Sequence, residues 1–118
     1  MSIFNILMAS VYVVSGGLLL WTGIKAGTES LPRNAWIGIR TSKTLSSDEA
    51  WQKGHKAAAG FLKASSLPMI LGGIFFAFAT EEQIAWSSLV AVGVMLVFVI
   101  LAARKAKAAI GDEGPAQP

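Results

Sequence analysis

A chain of 118 residues that is 53% apolar and 14% charged, with mean hydropathy +0.56, lies far below the charged share of a soluble domain, which is roughly a quarter. The length allows one domain, and the absence of cysteine excludes disulfides, thiolate metal sites and cysteine nucleophiles together. The net charge of +3 rests on basic residues beside apolar runs, where they report membrane topology and not a nucleic-acid partner.

Residues 3–24 form a run of 22 without a charge, about 33 Å as a helix, which matches a hydrocarbon core of about 30 Å. The start MSIFN is uncharged and Lys25 follows the run, so a spanning helix is expected here and not a cleaved signal peptide. Asn5 and Tyr12 are its notable polar groups. The second span is less tidy. Leu67 to Ala79 is too short to cross alone, but AAAGFLKASS from Ala57 extends it, with Lys63 able to snorkel; the crossing is expected over about 60–80, with Pro68 at a kink or in a first turn. TEEQ, residues 80–83, links it tightly to a third span over 84–103, closed by Arg104, Lys105 and Lys107. The tail GDEGPAQP, residues 111–118, is polar with two prolines and reads as disordered. The fold class expected is all-α, a three-helix membrane bundle over residues 1–110 with a polar loop at 25–59.

Seven basic residues lie between Lys25 and Lys63 and three in the C-terminal tail, while the TEEQ link and the N-terminus hold none. The positive-inside rule then places the N-terminus and Glu81–Glu82 outside, and the loop and C-terminus in the cytoplasm. Trp21 and Trp86 fall near span ends, as interfacial anchors do. Gly16, Gly17, Gly72, Gly73 and Gly93 offer flat surfaces for helix contact, Gly73 with Ala77 as a small-xxx-small pair. No acid, base or histidine sits at mid-membrane, so transport through the helices is disfavoured.

The stretch LPRNAWIGIRTSKTLSSDEAW, residues 31–51, is the polar, aromatic segment that needs a reason. Pro32 and Asn34 form turns, and Gly38 between two isoleucines suggests a close backbone approach. SSDEAW reads as a helix start, with Ser46 as cap, Glu49 reaching back to it and the helix beginning near Ser47. On that helix Trp51, His55, Ala58 and Leu62 share one face, away from Lys53 and Lys56. This predicts an amphipathic helix in the headgroup layer, with Trp51 and Leu62 dipping into it. Arg40 can grip a carboxylate or phosphate bidentately, with Asp48 and Glu49 as nearby carboxylates. Either Arg33 or Arg40 clamps the loop to the helix or to lipid phosphate, or the loop forms a specific ligand or partner site. His55 is the only histidine and makes a poor metal site. No serine elbow, HExxH or phosphate loop accompanies it, so a hydrogen-bonding role is expected and enzyme activity, metal and cofactor are not.

The run PRNAWIGIRTSKTLSSDEAWQKGH resembles the hallmark of the SdpI (sporulation-delay-protein immunity) family of small bacterial membrane proteins: P-x-N, I-G-I-R-T, T-L, then W-x-x-x-H or W-x-x-x-N leading into a membrane helix. Here those positions are Pro32, Asn34, Ile37, Gly38, Ile39, Arg40, Thr41, Thr44, Leu45, Trp51 and His55. The resemblance implies a non-enzymatic protein of the bacterial plasma membrane; the family's named member, which is longer, protects its producer from a secreted peptide toxin. The expected function is immunity or envelope-stress protection by binding a membrane-active peptide or regulator through the loop from Pro32 to His55. Its candidate binding residues are Pro32, Arg33, Asn34, Gly38, Arg40, Thr41, Thr44, Asp48, Glu49, Trp51 and His55. The alternatives are a structural accessory subunit of a larger membrane complex and recognition of an anionic lipid headgroup by Arg33, Arg40 and neighbouring lysines. Membrane lipid, a peptide toxin, a membrane-protein partner and a second copy of the chain are the partners considered.

Overall fold

A computed structural model describes residues 1–34 and 37–111, and these are all-α. Helix α1 spans Ile3–Gly27, α2 Asp48–Phe76 and α3 Glu81–Ile110, with a single 3-10 turn at Thr44–Ser46. Each of the three is long and apolar enough to cross a membrane. All exceed what about 30 Å of hydrocarbon requires, so their ends project beyond it. The tail beyond Gly111 lies outside the described residues.

Local chemistry sets the helix starts. Ser2 and Asn5 form a capping box on α1, and Thr80 and Gln83 form another on α3. At α2 the cap falls on Ser47, one residue later than expected, because its hydroxyl accepts the Ala50 N–H at 3.0 Å. Ser46 turns its hydroxyl to the Lys43 carbonyl, so the Ser46–Glu49 box is not formed. The amphipathic stretch and the second span are one helix. The stretch is the first part of α2, which runs through Pro68 without interruption. Pro68 therefore occupies a helix interior, not a first turn.

Helix α1 ends in a Schellman-type closure: Ser30 N–H returns to the Lys25 carbonyl (2.9 Å) and Glu29 N–H to the Ala26 carbonyl (3.3 Å). Glu29 takes the left-handed position there, with φ 57°.

Helix α2 is the central element, packed on both α1 and α3, which barely meet each other. Close approach in the α1–α2 seam is possible because side chains are missing. A Cβ on Gly16 would stand 2.5 Å from Ile70 Cγ1, one on Gly73 3.0 Å from the Val13 backbone, and one on Gly23 2.9 Å from the Lys63 backbone. Gly17 and Gly93 face open space and do not pack. Gly23, unnoticed in the sequence, belongs to the seam instead.

The interior has two layers. One, of Tyr12, Met69, Phe76, Ala79, Ile84 and Ala91, lies toward the α2–α3 turn. The other, of Ala26, Ile39, Ala58, Ala59, Leu62, Ala102 and Ala106, lies toward the long loop. The large apolar side chains point the other way, Leu7, Val14, Leu89 and Val97 among them all exposed. A soluble protein could not sustain such a surface, whereas lipid solvates it. Buried Ser65 and Ser66 satisfy their hydroxyls on the carbonyls of Leu62 and Lys63, both at 2.6 Å. At the turn end, Asn5 Nδ2 donates to the carbonyls of Phe76 (2.6 Å) and Ala79 (2.9 Å), tying α1 to the end of α2.

Candidate functional site

The loop between α1 and α2 folds back on the bundle as a headpiece, and its construction begins with one apolar side chain. Ile39 is buried among Ala26 of α1, Ala58, Ala59 and Leu62 of α2, and Ala102 and Ala106 of α3. These alanines leave room for it. The loop is thereby wedged where α1 and α3 would otherwise meet.

Backbone groups of the wedged segment are then satisfied from α2 and from the 3-10 turn. Ile39 N–H donates to His55 Nε2 at 2.9 Å, and Thr44 Oγ1 donates to the Ile39 carbonyl at 2.7 Å. Since Nε2 accepts, the proton of the neutral ring is on Nδ1, which donates to the Trp51 carbonyl at 2.8 Å. Burial holds the His55 pKa below its ordinary value, with the Trp51 carbonyl opposing the shift. Four of the five charged residues of α2, Asp48, Glu49, Lys53 and Lys56, lie in its first turns and the fifth is Lys63, so the first turns are the polar part of the helix.

Trp51 is fully buried and stacked on His55, with ring centroids 4.1 Å apart, and its Nε1–H donates to the Leu31 carbonyl at 2.8 Å. The expectation that Trp51 and Leu62 dip into the headgroup layer is therefore corrected: both are interior, because a stacked partner and a buried carbonyl offer the indole more than the interface does. Trp36, the other tryptophan of the loop, lies outside the described residues, as does Ala35. Gly38 adopts φ +112° against this pair, and a Cβ there would lie 2.7 Å from His55 Nε2 and 3.1 Å from the Trp51 ring. The close backbone approach expected of Gly38 is real.

The remaining motif residues hold the loop to itself and to the helix ends. Thr41 N–H donates to Thr44 Oγ1 (2.8 Å) and Thr44 N–H to Thr41 Oγ1 (3.1 Å). Asn34 closes a turn by accepting the Ile37 N–H (2.7 Å) and donating to the Pro32 carbonyl (2.8 Å). Arg33 Nε pairs with Asp48 at 3.1 Å, and its Nη1 donates to the Leu45 carbonyl at 3.1 Å. Two residues not singled out in the sequence add to this. Gln52 Nε2 shares the Leu31 carbonyl at 2.9 Å, and Lys43 Nζ donates to the Gly111 carbonyl at 2.9 Å, joining the loop to the end of α3. Nothing local signals either one, since their partners are 21 and 68 residues away.

Arg40 is the exception. The clamp role falls to Arg33, and among the described residues the Arg40 guanidinium has no hydrogen-bond or ion-pair partner. Asp48 is engaged by Arg33, and Glu49 lies on another face, lining an open hollow of ≈ 550 Å³ with Glu29, Gln52, Lys53 and Lys56. Arg40 instead borders a groove of ≈ 360 Å³ walled by Leu19 and Thr22 of α1 and Val99 and Ala103 of α3, with Leu62 of α2 and Gly38 and Ile39 of the loop completing it.

With both ring nitrogens of His55 engaged by backbone, the imidazole has no lone pair left for a metal or a substrate proton. What the headpiece offers chemically is an unpaired cation beside an apolar groove, and a charged hollow on another face. Residues 30–103 match a family model described as the SdpI/YfhL protein family. No curated protein and no solved structure matches the chain.

Proposed function

Because the chain belongs to the SdpI/YfhL family and is a multi-pass membrane protein, we propose that it is a non-enzymatic protein of the immunity or envelope-stress type. It binds a membrane-active peptide or a regulator through the headpiece of residues 32–55. The observation that supports this most is the division of labour within the motif. Gly38, Thr41, Thr44, Trp51 and His55 interlock to hold the loop in one shape, and Arg40 is left over. A braced scaffold with one guanidinium unpaired among the described residues is suited to binding, because little ordering entropy remains to be lost when a ligand arrives. An imidazole with both nitrogens engaged is poorly placed for proton transfer.

The orientation that goes with this reading has the N-terminus and the Glu81–Glu82 turn outside a bacterial plasma membrane, and the headpiece and C-terminus in the cytoplasm, from the one-sided distribution of Lys and Arg. A tag placed at Gln117 is then reached only from the cytoplasm. Labelling of that tag in intact cells overturns the orientation. The function is tested by deleting the gene and challenging cells with membrane-active peptides. Changed sensitivity, restored by the wild-type gene, supports the immunity reading. Unchanged sensitivity together with stoichiometric purification on a large membrane complex replaces it with the accessory-subunit reading.

A further inference from the structure

We propose that the groove between α1 and α3 is a binding site for an anionic membrane phospholipid, with the lipid phosphate on the Arg40 guanidinium and an acyl chain lying along Leu19 and Val99. Three observations carry this. First, the groove walls are apolar apart from Thr22, and the Thr22 hydroxyl is already turned to the Leu18 carbonyl at 2.7 Å, so the interior suits hydrocarbon. Second, α1 and α3 barely touch, which leaves the groove open sideways toward the bilayer from which a lipid enters. Third, the wedge of Ile39 sets Arg40, itself exposed, at the rim of the groove that Thr22 and Ala103 also line. Its guanidinium has no protein partner among the described residues.

An arginine near the hydrocarbon boundary needs an acceptor for its planar donors, and a phosphate accepts two of them in parallel. Among the described residues, no carboxylate lines the groove. The flanking charges in the chain, Lys25 after Thr22 and Arg104 beside Ala103, are both positive, which favours a lipid of net negative charge over a zwitterionic one. The site shares Arg40 with the proposed function but is argued from the groove, so it is unaffected if deletion of the gene leaves peptide sensitivity unchanged.

The test is native mass spectrometry of the full chain in mild detergent, titrated with phosphatidylglycerol and, separately, with phosphatidylcholine of the same acyl chains. Four variants accompany the wild type: Arg40→Gln, Arg40→Lys, Ala103→Leu and Lys107→Gln, each checked for helix content by circular dichroism. The wild type is expected to retain phosphatidylglycerol in preference to phosphatidylcholine. Arg40→Gln loses about tenfold or more in affinity for it, the loss of charge-assisted hydrogen bonds. Arg40→Lys recovers part of the loss, and Ala103→Leu weakens binding by filling the groove. Lys107→Gln removes the same charge from the same end of the molecule and leaves retention unchanged. Equal losses for Arg40→Gln and Lys107→Gln would overturn the proposal, since diffuse surface charge would then suffice. So would unaltered retention in Ala103→Leu, no preference between the two lipids, or displacement of the lipid by inorganic phosphate alone. Occupation of the groove by a membrane-active peptide that phosphatidylglycerol cannot displace also overturns it.

Discussion

Replacing Gly38 with Ala tests whether the loop is held as described. At φ +112° an L-residue costs about 1–3 kcal/mol in backbone strain. The added methyl would also stand 2.7 Å from His55 Nε2 and 3.1 and 3.2 Å from two atoms of the Trp51 ring. Neither ring can yield easily. Both are fully buried and stacked on each other, and Trp51 is pinned to the Leu31 carbonyl. If the clash is borne, overpacking adds about 1–3 kcal/mol; if the loop retreats instead, the Ile39 N–H loses its acceptor at a similar cost of about 1–3 kcal/mol. The two are alternatives, so the total is about 2–6 kcal/mol, a large part of the about 5–15 kcal/mol that stabilises a typical fold. Gly60→Ala is the control: it is helical, exposed and faces open space, and Ala there stabilises by about 0.5–1 kcal/mol. Unfolding by sodium dodecyl sulfate in mixed micelles, followed by circular dichroism, is to be paired with limited trypsin digestion at Arg40 and Lys43. Gly38→Ala is expected to unfold at a lower detergent fraction and to be cut sooner, Gly60→Ala to match or exceed the wild type. A Gly38→Ala protein with wild-type midpoint and cutting rate refutes the packing of the loop on Trp51 and His55.

Asn5→Ala should lower stability by about 2–4 kcal/mol in the same unfolding assay, because the buried carbonyls of Phe76 and Ala79 lose their donor; a loss within error would show that α1 is not tied to the end of α2 through this amide. Acidification should loosen the headpiece. The folded pKa of His55 lies below that of the unfolded chain, so its contribution is complete above about pH 6.5 and falls, by at most about 1.4 kcal/mol per pH unit, as pH drops from there through the folded value. Trypsin cutting at Arg40 followed from pH 7.5 to 5, with data corrected for protease activity, checks this; His55→Asn should flatten the dependence, and an unchanged slope in that variant would assign the titration elsewhere. Glu29→Gly should stabilise by about 1 kcal/mol, since glycine adopts φ 57° without strain while the exposed pair with Lys56, 3.9 Å apart, adds little. A lowered midpoint in Glu29→Gly would mean that the carboxylate matters more than the backbone.

The three helices could be read from the chain because crossing a bilayer is a one-dimensional requirement: enough consecutive residues without charge, bounded by Lys, Arg or a polar turn. The run ending at Ile24 and the run from Ile84 to Ala103 meet it by length and composition alone, and the polar headpiece follows as the part that does not. The start of α2 was legible to within a residue, because a serine followed by acids is a local signal. What local signals could not settle is which groups meet. Arg33 and not Arg40 takes Asp48, Trp51 faces inward and not toward lipid, Gly23 packs while Gly17 does not, and the amphipathic stretch is continuous with the span. The loop itself is seated by the wedge of Ile39 among alanines contributed by all three helices. Residues so far apart in sequence acquire their distances only when the bundle closes, and a hydrogen bond or a steric clash is decided within a few tenths of an ångström. Hydrophobic length can be counted along a chain, but contact exists only between its distant parts.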